Sequence, residues 1–272
     1  MTDPHGRGEA AILRPTAAAQ HFSVARVAPS QRWARFVEYV WIARWECPEP
    51  YDQQVIPQPC VHVTAETWQG VPRLLVNGIT REPFMRTLEG TGHVIGATFR
   101  PASFRAVLGA DLGVVAGRVV PLGDVVGPDD SAVAADLLGS GASDEEMAAT
   151  LESHLDACGA QPDPLADELN ALVRRAEVDR SITRADRLAD LAGVSLRTLQ
   201  RQFTAYLGIG PKWVVQRFRL LDAAAAAHAG PTDWAALAVD LGFADQSHLT
   251  RAFTAVVGTP PRTYERQARS GA

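Results

Sequence analysis

Lysine is almost missing from this 272-residue chain: of 26 basic side chains only Lys212 is one, and the rest are arginine, as in proteins of GC-rich bacterial genomes. Cysteine is nearly as scarce. Cys47, Cys60 and Cys158 are odd in number and far apart, which excludes a disulfide framework and a zinc finger. No apolar run approaches the roughly 20 residues that cross a bilayer, and the stretch MTDPHGRGEAAILRP lacks the apolar core of a secretory signal. The expectation is a soluble, cytoplasmic protein with no membrane partner. Aromatics are only 7% of the chain, yet 46% of it is hydrophobic, enough for ordinary cores in about two domains.

The net charge of −5 is unevenly spread. Residues 1–164 hold 12 basic and 20 acidic side chains, a net of −8; residues 165–272 hold 14 and 11, a net of +3. Between the two parts, CGAQPDPLADE (Cys158 to Glu168) has two prolines and a glycine and reads as a connection. The expected division is a flexible segment over residues 1–20, a first domain over 21–160, a linker over 161–168 and a second, basic domain over 169–272.

The basic part contains a repeat. LQRQFTAYLGIGP, from Leu199 to Pro211, returns fifty residues later as LTRAFTAVVGTPP, from Leu249 to Pro261, so one structural unit is used twice. In the first copy Leu188 and Leu191 share a helical face, Gly193 breaks it, and a second helix restarts after Ser195 with Leu199, Phe203 and Tyr206. In the second copy Leu237 and Leu241 precede a turn at Gly242, a cap at Asp245, and Leu249, Phe253 and Val257. Each copy is helix, tight turn, helix, and the caps Ser195 and Asp245 align at the same offset. Leu188, Leu191, Val194, Leu199, Phe203, Leu237, Leu241, Phe243, Leu249 and Phe253 form the expected core. Between the copies PKWVVQRFRLLDAAAAAHAG predicts one continuous helix over Pro211 to Ala227, about 25 Å long. Such a strut can hold two recognition helices roughly one DNA turn, about 34 Å, apart.

The segments GVSLRTLQRQF, GIGPKWVVQRFRL, GFADQSHLTRAF and GTPPRTYER, in this order and spacing, resemble the AraC/XylS family of bacterial transcription regulators over about the last hundred residues. VEYVWIARW, VIPQPCVHV, IGATFRPASF and VVPLGDVVG are similar to the N-terminal domain of one subgroup of these regulators. The subgroup's usual Pro-Asp-Gly-Cys reads Pro57-Gln58-Pro59-Cys60 here. The resemblance implies base contacts near Arg197, Gln200, Arg201, Gln246, Ser247 and Arg251.

Helix geometry adds to that set. With Leu199 and Phe203 buried, Arg197, Gln200, Arg201 and Thr204 project to other faces, and Gln246, Ser247, Thr250 and Arg251 occupy comparable faces of the second helix. Arginine pairs with guanine and glutamine with adenine edges. His248 is read as a phosphate contact or a packing residue. Capped helix N-termini, at Ser195 for the first, and Arg217 or Arg219 on the strut are the expected phosphate contacts.

The first domain predicts a compact antiparallel sheet or small barrel from VEYVWIARW, CVHVTAETW, RLLVNGIT and HVIGATFR, followed by helices. SDEEMAATLESHLDACG opens with a capping box, Ser143 and Glu146. The fold class is therefore α+β, a mixed N-terminal domain and an all-α domain with two helix-turn-helix units on a linker helix. Trp33, Trp41, Trp45 and Trp68 fall in this domain and are open to a ligand pocket or to an ordinary core; Trp41, Trp68, Cys60, His62 and Arg100 are the candidate ligand contacts, Cys60 and His62 share a strand face, and Arg100 is open to an anionic ligand or a salt bridge. No metal site, cofactor or catalytic residue is expected. The partners expected are double-stranded DNA, a small-molecule effector, RNA polymerase, and a second copy through the first domain. A regulator whose first domain only dimerises or contacts polymerase is the alternative; a DNA-repair or redox protein using Cys60 comes third.

Overall fold

The structure, a computed structural model, describes residues 18–82, 84–139 and 141–270. The flexible segment expected over residues 1–20 lies, for residues 1–17, outside the described residues.

Six strands form one antiparallel sheet in the order β1-β2-β5-β3-β4-β6. They are β1 (Phe22–Val27), β2 (Val37–Val55), β3 (His62–Trp68), β4 (Val71–Asn77), β5 (Phe84–Phe99) and β6 (Val119–Pro121). Of the two expected forms the sheet is the one found, since β1 and β6 end the order. β2 and β5 are much longer than VEYVWIARW and HVIGATFR implied, because β2 continues through Pro48 and Pro50. Its register with β5 shifts between Cys47 and Tyr51, and such an irregularity lets prolines sit in a strand without breaking the ladder on either side.

The strand period of two gives the sheet two different faces. Val40, Ile42, Val63, Ala65, Ile95 and Ala97 are fully buried on one of them, beneath α2 (Ser131–Gly139) and α3 (Asp144–Ala157). Burying each of the larger side chains contributes about 1.5–3 kcal/mol. α3 starts with the expected capping box, Ser143 and Glu146 satisfying each other's backbone N–H. β1 and α2 add to the expected elements, and the helix expected in PASFRAVLGA is the single turn α1 (Arg105–Leu108).

α4 (Pro164–Val178) begins within residues 161–168, the segment read as the linker. Pro164 occupies the first helical position, where its missing N–H costs nothing, and the Asp163 side chain accepts from Leu165 N at 3.0 Å. Five helices are as the repeat predicts: α5 (Ala185–Ala192), α6 (Leu196–Leu207), α7 (Pro211–Ala229), α8 (Trp234–Asp240) and α9 (Gln246–Val257). α10 (Pro261–Ser270) packs back on α7. Of the expected core, Leu191, Val194 and Leu237 are partly buried against it and the others are buried.

Candidate nucleic-acid interface and ligand cavity

α6 and α9 are built alike. The Ser195 side chain accepts from Thr198 N at 3.1 Å and that of Asp245 from His248 N at 2.7 Å, each satisfying an N–H that the first turn cannot. Both helices stop at a left-handed glycine, Gly208 and Gly258. Leu199, Phe203, Tyr206 and Leu207 bury one side of α6; Leu249, Phe253, Val256 and Val257 do so for α9.

The opposite side of α6 is exposed at Arg197, Gln200, Arg201 and Thr204, a spacing of three, one and three that puts all four on one stripe. Ser195 is exposed at the head of this stripe. On α9, Ser247 and Arg251 are exposed and Gln246, His248 and Thr250 half-buried. His248 packs: its ring lies edge-on to Phe243 at 5.3 Å and its Nδ1 accepts from Ala244 N at 3.4 Å. The Thr250 carbonyl accepts the Thr254 hydroxyl at 2.7 Å.

The strut arginines do not reach outward. Arg217 is 2% and Arg219 1% exposed, which removes both from the expected phosphate contacts. Arg219 donates to Ala176 O at 2.6 Å and Asp179 O at 3.4 Å, serving carbonyls that the end of α4 leaves without helical partners. Arg217 reaches the first domain, donating to Arg81 O at 3.2 Å with its guanidinium 4.5 Å from the Trp213 ring. Burial lowers its pKa to about 10.

The second face of the sheet bounds a cavity of about 430 Å³. Trp41, Ala43 and Trp45 of β2 and His62, Thr64 and Glu66 of β3 face it at alternate positions. The indoles lie close over β5: an added Cβ at Gly96 would stand 2.7 Å from Trp41, and one at Gly92 2.7 Å from Trp45. Glu66 accepts the Thr64 hydroxyl at 2.7 Å and pairs with Arg86. Gln53 is 5% exposed, donates through Nε2 to Gln54 O at 2.6 Å, and leaves its Oε1 without a partner.

Of the candidate ligand contacts, Trp41, Cys60 and His62 line this cavity. Trp68 ends β3 outside the lining, and Arg100 forms an ion pair with Glu38 at 2.8 Å and donates to Ala34 O at 3.0 Å. Cys60 Sγ and His62 Nε2 are 3.4 Å apart. Burial, with Glu38 and Glu177 adding repulsion, pushes the thiol up to about 12, and burial lowers His62 to about 4. Both are therefore neutral at pH 7, and a thiol held protonated is a poor nucleophile. No group of three or more His, Cys, Asp or Glu able to hold a metal occurs among the described residues. The residues that sequence reading missed are Gln53 and the glycines under the indoles; Trp45, open to pocket or core in the sequence, lines the cavity beside Trp41. Their signal was present: Trp41 and Trp45 are four apart, as are Gly92 and Gly96.

The helical domain meets the sheet domain at three places beside this cavity. At the end of α6, an added Cβ on Gly208 would stand 2.8 Å from Ala116, next to the lining residues Gly117 and Arg118. At the end of α9, Val257 O accepts from Gln54 at 3.3 Å, between the lining residues Gln53 and Val55. Arg81, which receives Arg217, stands between Thr80 and Glu82, again lining residues.

Two family models match the chain, one described as a domain of unknown function (DUF6597) over residues 25–121 and one described as a helix-turn-helix domain over residues 188–267. A protein described as an AraC-like transcription regulator from Streptomyces lividans is 40% identical over 87 residues, 32% of this chain and 28% of its own. The chain thus spans little more than a quarter of that relative's length. Among solved structures, the C-terminal domain of AraT, a response regulator from Geobacillus stearothermophilus, is 20% identical with a TM-score of 0.35, covering 40% of this chain and 88% of that one. ToxT from Vibrio cholerae O395 is 13% identical with a TM-score of 0.37, covering 92% of this chain and 98% of that one. Among the described residues no helix is long and apolar enough to cross a membrane.

Proposed function

We propose that this chain, whose C-terminal domain is an AraC-type helix-turn-helix domain, regulates transcription by reading two successive major grooves with α6 and α9 and answers to a small-molecule effector held in the sheet cavity. The observation that carries the first half is the doubled, capped helix with an outward face: Arg197, Gln200 and Arg201 on α6, Ser247 and Arg251 on α9. Two capped helix N-termini offer unpaired amides to phosphates, which fixes register, while the side chains read base edges. Thr204, Gln246 and Thr250 flank those contacts.

The second half rests on placement. Gly208 and Gly258, equivalent positions of the repeat, both face the sheet domain, one at Ala116 and the other at Gln54. One domain thus bridges the inner ends of both reading heads. A ligand that moves the cavity wall at Gln53–Val55 relative to that at Gly117–Val119 changes how the two heads sit on DNA.

A rival reading, in which the first domain only dimerises, draws on the apolar rim of the cavity: Val24, Phe84, Met85 and Val119 are all at least 38% exposed. Footprinting on an operator selected from random DNA tests the first half; two protected segments about ten base pairs apart are expected, and a single segment or uniform coverage sinks it. Measuring operator affinity and oligomeric state across an effector screen tests the second. Operator affinity that never changes while a dimer persists favours the rival.

A further inference from the structure

The cavity, if it is an effector site as just argued, has a chemistry of its own that narrows the effector. Its floor is two indoles, Trp41 and Trp45, each held down on a glycine of β5. Its mouth carries exposed apolar side chains, Met85 at 55% and Phe84 at 39%, beside the exposed charges of Glu82, Arg86 and Arg118. A flat apolar body gains most here, because it covers both the aromatic floor and the rim in one placement.

The charges of the lining leave little for an ionic ligand. Glu66, 8% exposed, is met by Arg86 and by the Thr64 hydroxyl. The guanidinium of Arg26 lies over the Tyr39 ring at 5.0 Å. His62 holds Thr98 Oγ1 at 3.1 Å and Cys60 at 3.4 Å, and both titrating groups are neutral near pH 7. Glu82 and Arg118 also line the space, Arg118 donating to Val114 O at 3.1 Å, so an anion entering it meets the Glu66 and Glu82 carboxylates and a cation meets Arg26, Arg86 and Arg118.

Two lining residues each carry a buried hydrogen-bonding atom that is unused. Gln53 Oε1 is an acceptor on a residue more than nine-tenths buried, and Arg26 Nε is a donor; both are buried without a partner. Leaving a buried polar atom unsatisfied is costly, so a ligand that satisfies it is selected over one that does not. A hydroxyl donates and accepts and can serve either atom.

We propose that the cavity binds a neutral, flat aromatic molecule bearing a hydroxyl, its rings over Trp41 and Trp45 and its O–H donated to Gln53 Oε1.

Three probes that share one ring system test this by calorimetry on the full chain: 2-naphthol, 2-methoxynaphthalene and 2-naphthoate. The expected order puts 2-naphthol about tenfold tighter than 2-methoxynaphthalene, which accepts but cannot donate, the size of one satisfied buried acceptor. The Gln53→Met variant, checked for unchanged thermal unfolding, should bind the two equally. That wild-type comparison needs no variant, so a misfolded Gln53→Met leaves the test standing. Equal affinities in wild type overturn the hydroxyl assignment. Tighter binding of 2-naphthoate overturns neutrality in favour of an anion at Arg26, and no binding of any of the three overturns the aromatic class. Binding in the expected order with operator affinity unchanged would instead fault the effector reading and leave the ligand chemistry intact.

Discussion

Trp41 on β2 and Gly96, its partner in register on β5, approach so closely that a Cβ on the glycine would lie 2.7 Å from two carbons of the indole. A side chain at 96 would also meet Thr64 Cγ2 at 2.9 Å, so the indole cannot simply be pushed along β3. Gly96→Ala should therefore destabilise the fold by about 1–3 kcal/mol, the usual cost of overpacking. Gly92→Ala, whose three nearest neighbours are all atoms of the Trp45 indole, should cost less. Urea unfolding of the two variants decides; a Gly96→Ala protein as stable as wild type means that the glycine does not set the floor of the cavity.

Arg201 and Arg251 stand at the same place in the repeat, two residues before a buried phenylalanine, and both are exposed. Each substitution to alanine should cost about 1–3 kcal/mol against the cognate base and relax discrimination at one half of the operator only. Binding to a series of base-substituted operators reads this directly. A loss of equal size on every sequence would make these arginines phosphate contacts.

His62 supplies an acid limb to stability. Its pKa falls from 6.5 to about 4 on folding because burial disfavours the charged ring. Between those values the unfolded chain takes up a proton that the folded chain refuses, so stability is lost as pH drops from 6.5 towards 4, by about 3 kcal/mol at most. Denaturation at pH 7 and pH 5 should show a smaller drop for His62→Gln than for wild type. Identical drops would mean that His62 protonates in place.

The strut shows where sequence reading stops. Charged letters on an isolated helix point to solvent, yet α7 is packed by α4, α5, α6 and α10, and its buried arc takes in Arg217 and Arg219. Arg219 is there because the end of α4 presents carbonyls, Ala176 O and Asp179 O, that no pattern within α7 reveals. The caps, glycine stops and apolar spacing of the two reading heads were legible because they are local, settled within about a dozen residues. The cavity was not, since its floor joins residues 41 and 45 to residues 96 and 92 through β2–β5 pairing, and pairing register is a long-range property.

Arg217 carries a further consequence. Its Nε and Nη1 are buried without partners, and across the domain boundary it donates to a neutral carbonyl, Arg81 O. A buried cation served this poorly costs more than an apolar group of similar length. Arg217→Met should leave stability unchanged or raise it by about 1 kcal/mol, measured by thermal unfolding. A loss above about 2 kcal/mol would mean that the guanidinium, through Arg81 and the Trp213 ring, holds the two domains together.

Gln54 isolates the link between cavity and DNA. It lies between Gln53 and Val55, which line the cavity, but does not line it itself; its side chain instead donates to Val257 O, the last residue of the second reading helix, at 3.3 Å. Gln54→Ala removes that bond and leaves the floor, the rim and Gln53 in place. A neutral hydrogen bond is worth about 0.5–1.5 kcal/mol net, so the effect of a bound probe on operator affinity should shrink by about two- to tenfold. Affinity for the probe in the absence of DNA should stay within about twofold of wild type, because no lining group has changed. The α6 half of the footprint should also be kept, since Gly208 and Ala116 are untouched. Calorimetry for the probe, beside operator titrations with and without it, separates the terms. If Gln54→Ala responds to the probe as fully as wild type does, the α9 contact does not transmit, and the coupling runs through Arg81 and Ala116 instead.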